Sequence, residues 1–97
     1  MSENPAVVIS FKDLDVDEPL RETLEKRCLA LTREFPEVTR VELTLYPDGD
    51  DHSATGHATG KDTEAATRAT AGESAVAADQ VLDKLKQKLR RSHDKSI

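Results

Sequence analysis

Two hydrophobic periods alternate along this chain. Val7, Ile9 and Phe11 occupy every second position, with Val8 and Ser10 between them, which predicts a strand with one strongly apolar face. Asp13 to Asp17 form an acidic turn. The period then changes: Leu20, Leu24, Cys28, Leu31 and Phe35 recur at three- and four-residue steps, the spacing of an amphipathic helix. Asp17 is suited to the N-cap, and Glu18 and Pro19 follow it, both favoured in a first turn. Pro36 stops the helix. Period two returns with Val41, Leu43 and Leu45 on one face and Glu42, Thr44 and Tyr46 on the other. Pro47-Asp48-Gly49-Asp50-Asp51 reads as a turn or loop.

From Ala54 to Ala71 the apolar side chains shrink. Ala54 to Thr59 and Glu64 to Ala71 alternate small and polar residues around Gly60-Lys61-Asp62. Frequent threonine and the central turn favour a hairpin, whereas the alanine content leaves a helix over 63–71 as the alternative. As strands, these segments offer an inner face of Ala and Gly that adds little burial but lets a helix come close. Gly72 ends the segment, and Glu73 or Ser74 can cap a last helix whose Ala75, Ala78, Leu82, Leu85 and Leu89 share one face. The order β-α-β-β-β-α predicts an α+β fold, with two helices packed on one face of a four-stranded, mostly antiparallel sheet. Its other face shows Ser10, Glu42, Thr44 and Arg68 to water. One domain is expected over 1–97, with an ordered core at about 6–92 and a tail that frays after Ser92.

Charge changes the picture. The 97 residues carry a net charge of −5, which taken alone argues against a nucleic-acid partner. The distribution is bipolar: residues 80–97 hold six cationic side chains against two carboxylates, a net of +4, which leaves −9 for residues 1–79. A local field decides whether a patch binds, not the total. Lys84, Lys88, Arg91 and Lys95 recur on successive turns of the last helix, with Lys86 and Arg90 beside them. Such a ladder can follow the phosphates of folded RNA. It is equally what a solvated helix end looks like, since cations suit the C-terminal dipole. Arg21 and Arg27 of the first helix would widen the ladder to a two-helix surface if they lie alongside.

With this order of elements in place, two motifs resemble the ribosome hibernation-promoting and ribosome-associated inhibitor family, once described as sigma-factor modulators. Leu14-Asp15-Val16-Asp17-Glu18-Pro19-Leu20-Arg21-Glu22 is similar to the family's V-E-I-T-E-A-L-R-E. Glu73-Ser74-Ala75-Val76-Ala77-Ala78-Asp79, followed by Asp83-Lys84-Leu85, Gln87, Leu89, Arg91 and Lys95, is similar to D-x-Y-x-A-I-D-x-x-x-D-K-L and its basic continuation. Ala75 and Ala78 stand where the family has tyrosine and isoleucine. The resemblance implies a non-catalytic regulator of translation in the bacterial cytoplasm. It would bind the small ribosomal subunit and its ribosomal RNA, and would block the messenger and transfer RNA channel in stationary phase or under stress. The RNA-binding residues it implies are Lys84, Lys88, Arg91, Lys95, Arg21, Arg27, Lys86 and Arg90. The chain ends soon after its last helix, so it resembles the short members that favour ribosome pairing.

Little else carries chemistry. The Asp48–His52 loop lacks the spacing and terminal glutamate of a calcium-binding EF-hand. Three histidines and one cysteine without a Cys-x-x-Cys make a zinc site improbable. Cys28 lies on the apolar stripe of the first helix and reads as a buried thiol. There is no phosphate-binding glycine loop, no signal peptide and no apolar run long enough for a bilayer. No enzyme, cofactor, metal, membrane or small-molecule substrate is therefore expected. The rival reading is a protein-interaction module of the same fold that works through its acidic surface, with RNA binding lost.

Overall fold

The structure is a computed structural model that describes residues 5–95, with side chains through Arg91. Its elements run β1 (Ala6–Phe11), α1 (Glu18–Glu34), β2 (Val38–Asp48), β3 (Asp51–Gly60), β4 (Thr63–Ala71) and α2 (Ser74–Lys95). The sheet order is β1-β2-β3-β4. β1 pairs with β2 in parallel across the α1 crossover, and the other two pairs are antiparallel. The expected α+β architecture is thus present, and the Thr63–Ala71 segment is strand rather than helix. The reason lies in the pairing: Ala58↔Ala65, Gly56↔Thr67 and Ala54↔Ala69 set small residues opposite one another on the helix-covered face, and this tertiary setting overrides the helical propensity of alanine.

Local signals account for the element ends. Asp17 accepts the backbone N–H of Leu20 at 3.1 Å as the N-cap of α1, and Phe35 closes the helix with its N–H on the Leu31 carbonyl at 2.9 Å. The acidic segment expected as a turn or loop at 47–51 is a turn. β2 continues through Asp48, β3 begins at Asp51, and only Gly49 and Asp50 turn between them. Gly49 has φ +65°, as a glycine-first hairpin turn requires. α2 remains helical to Lys95. Beyond Lys95, the tail expected to fray after Ser92 lies outside the described residues.

The core lies between the sheet and both helices. Leu24, Cys28 and Leu31 of α1 meet Val41, Leu43 and Leu45 of β2, and α2 contributes Ala77, Ala78, Val81, Leu82, Leu85 and Leu89. α1 covers β1 and β2, while α2 lies over β3 and β4 and reaches β2. Ala75, expected on the apolar face of α2, is exposed, and Ala77 and Val81 are buried in its place. The helix meets the sheet slightly off the axis of its leucine stripe because the sheet beneath is so shallow. Gly56 makes that contact possible: a Cβ there would sit 2.4 Å from Val81 Cγ1.

Candidate nucleic-acid interface

Helix geometry splits the cations of α2 into two groups. Each residue advances about 100° around the axis, so positions four apart stay on one flank and positions two apart fall on nearly opposite ones. Lys84 and Lys88 lean over the outer edge of β4. Lys84 Nζ donates to the Arg68 carbonyl at 2.9 Å, and Lys88 Nζ donates to the Ala66 carbonyl at 2.6 Å. With Gln87, Arg91 and Arg68 they line a shallow groove of about 370 Å³ between α2 and the β4 edge. Among the described residues none of Lys84, Lys88 and Arg91 is paired with a carboxylate. Arg68 touches Asp48 at 3.4 Å.

The remaining cations lie elsewhere. Lys86 and Arg90, expected beside the ladder, point to the other flank of α2. There they share the Glu34 carboxylate at the end of α1, at 3.3 and 3.6 Å. Arg27 pairs with Asp79 of α2, so it too lines the cleft between the helices. Arg21 is held by Glu18 at 2.8 Å, with Glu25 at 3.9 Å. The hydrogen bond and charge of Glu18 raise the Arg21 pKa above its ordinary value. Arg21 and Arg27 therefore do not join Lys84 and Lys88 in a continuous two-helix surface. Lys95 ends α2, and its side chain lies outside the described residues. The Arg21–Glu18 pair follows from i,i+3 spacing; the Arg27–Asp79 and Glu34 contacts are tertiary and leave no local mark. Arg68, which sequence reasoning placed only on the watered face, is the added member of the groove. The alternation that puts it on β4 was the available signal.

The other candidate chemistries are quiet. Asp48 accepts from Ser53 Oγ at 3.0 Å and meets Arg68, and His52 Nδ1 lies 3.2 Å from the Gly72 carbonyl. Among the described residues no group of three His, Cys, Asp or Glu side chains is placed to hold a metal ion, and no described helix is long and apolar enough to cross a membrane. Cys28 is fully buried, and burial pushes its thiol up to about 12.

Comparison with known proteins agrees with this architecture. A family model described as "Sigma 54 modulation protein / S30EA ribosomal protein" matches residues 7–97. No curated protein matches the chain significantly. Among solved structures, a ribosomal subunit interface protein from Coxiella burnetii superposes with a TM-score of 0.81 at 15% identity, over 92% of this chain and 98% of that one. The N-terminal domain of Protein Y from Thermus thermophilus gives 0.75 at 18% identity, over 92% and 98%. At these identities the likeness is one of fold.

Proposed function

We propose a ribosome-binding, non-catalytic role for this chain, which belongs to the Sigma 54 modulation protein / S30EA ribosomal protein family. In this reading it binds ribosomal RNA of the small subunit in the bacterial cytoplasm and obstructs the messenger and transfer RNA path in stationary phase or under stress. The observation that carries the reading is the flank of α2 formed by Lys84, Lys88 and Arg91. It presents cations without carboxylate partners among the described residues, on a chain that is acidic elsewhere. Phosphates would take further N–H donors of these side chains in charge-assisted hydrogen bonds. Arg21, Arg27 and Lys86 are partly exposed and Arg90 exposed, all of them ion-paired, and pairs open to solvent contribute only about 0–1 kcal/mol. Phosphates can therefore recruit them at small cost once the molecule is seated, and Lys95 would extend the ladder by one turn.

Co-sedimentation with ribosomes across a salt series tests this. Binding at low salt should fall steeply as salt rises, and the Lys84→Glu/Lys88→Glu/Arg91→Glu variant should not sediment with ribosomes. Co-sedimentation that ignores salt, or that survives the triple reversal, would instead favour the interaction module working through its acidic surface.

A further inference from the structure

We propose that the open edge of β4 is the positioning element of this interface, holding Lys84 and Lys88 in register for consecutive phosphates of one RNA strand. The inference rests on the RNA-binding reading above and adds the form of the ligand and the means of fixing the cations.

The geometry comes from two repeats that match. β4 is the last strand of the sheet, so the carbonyls of Ala66 and Arg68 on its outer side have no strand partner. They are two strand residues apart, a rise of about 6.7 Å. Lys84 and Lys88 are four helix residues apart, a rise of about 6.0 Å. α2 runs against β4, and the two lysines meet the two carbonyls in order, Lys84 on Arg68 and Lys88 on Ala66. The strand edge thus behaves as a ruler. Each ammonium has three N–H donors and gives one to the edge, which leaves two directed outward into the groove. Two tethered ammonium groups at this separation match neighbouring phosphates along a single phosphodiester strand. Arg91 continues the row on α2, Arg68 flanks it from β4, and Gln87 sits between the cations without a charge. Lysines over an edge strand also blunt unwanted strand pairing; here the same hydrogen bonds remove part of the rotamer freedom that a long cation otherwise loses on binding.

The test separates position from charge. The full-length chain is titrated with a short, unstructured oligouridine across a salt series, beside ribosome co-sedimentation. Lys84→Gln should weaken oligouridine binding about fivefold at 0.1 M salt and make the log–log salt slope shallower by about 0.7. Lys84→Gln/Gln87→Lys restores the net charge within the same groove but takes the cation off the Arg68 carbonyl. It should stay at the level of the single variant in both affinity and slope. Both variants alter exposed side chains, and an unchanged melting temperature checks that the fold is retained. Recovery of wild-type affinity and slope by the double variant would overturn positioning by the edge while leaving RNA binding intact. Binding to ribosomes with none to oligouridine would overturn the single-strand contact. Failure of the wild-type chain to bind either at low salt would remove the underlying reading and this one with it.

Discussion

Cys28 shows how much one buried group can decide. Its thiol is enclosed by the core, and the neutral form is favoured there because burial penalises the thiolate. In the unfolded chain the ordinary value is 9.0, against about 12 in the fold. The unfolded state therefore releases its proton first as pH rises. The stability linked to this group is complete below pH 9 and declines between 9 and 12, by up to about 1.4 kcal/mol per pH unit. Urea melts from pH 8 to 11 should show this decline, and Cys28→Ala should flatten it after allowance for its own cavity cost. At pH 8 the native thiol should resist a disulfide reagent that modifies the urea-unfolded chain at once. Arg27 and Lys86 teach the complementary lesson. Both are legible as cations, but their partners Asp79 and Glu34 come from the other helix, and no window of sequence contains both members of such a pair.

At the scale of elements, the interface between α2 and the hairpin depends on the absence of a side chain. Alanine at position 56 would put a methyl 2.4 Å from Val81 Cγ1, 3.0 Å from Leu85 Cδ1 and 3.1 Å from Leu43 Cδ2. All three neighbours are buried, so none can swing into solvent, and overpacking of this kind costs about 1–3 kcal/mol. Gly56→Ala should lower Tm by roughly 4–8 °C per kcal/mol, as differential scanning calorimetry would record. Val81→Ala introduced on the Gly56→Ala background should cost less than on the wild type, a coupling expected of residues in contact. Most elements were legible in advance. Alternation in Val7–Phe11 and Val41–Leu45, the Asp17 cap and the Pro36 stop each have a local cause. The small-residue hairpin was legible only as a pair of alternatives, because alanine speaks for helix until its partner strand is known. That Lys86 and Arg90 fall on the flank opposite Lys84 and Lys88 was already in their two-residue offset; what needed the helix to be seated was their partner, Glu34 at the end of α1.

Over the whole molecule, charge and topology divide along different lines. The acidic excess lies in residues 1–79, whereas Lys84, Lys88 and Arg91 line one rim, where the last strand and the last helix meet. The opposite rim is β1, six residues long, with Val7, Ile9 and Phe11 only half-buried and Val8 exposed. It is held by parallel pairing to β2 and by packing beneath α1. Native-state hydrogen exchange should find the β1 amides less protected than those of β2 and β3, which have strand neighbours on both sides. The difference should persist when the rim cations are reversed, since no charge in that groove touches β1.

That single parallel seam bears on how the chain is made. β2, β3 and β4 can zip together through two-residue turns, whereas β1 must await a completed crossover, because contacts distant in sequence close slowly. During synthesis β1 emerges before α1 and β2, and it has nothing in this domain to dock on until they have followed. Val7, Ile9 and Phe11 thus stay uncovered for an interval that belongs to translation rather than to folding, and a chaperone surveying short apolar segments would meet β1 before the rest of this domain.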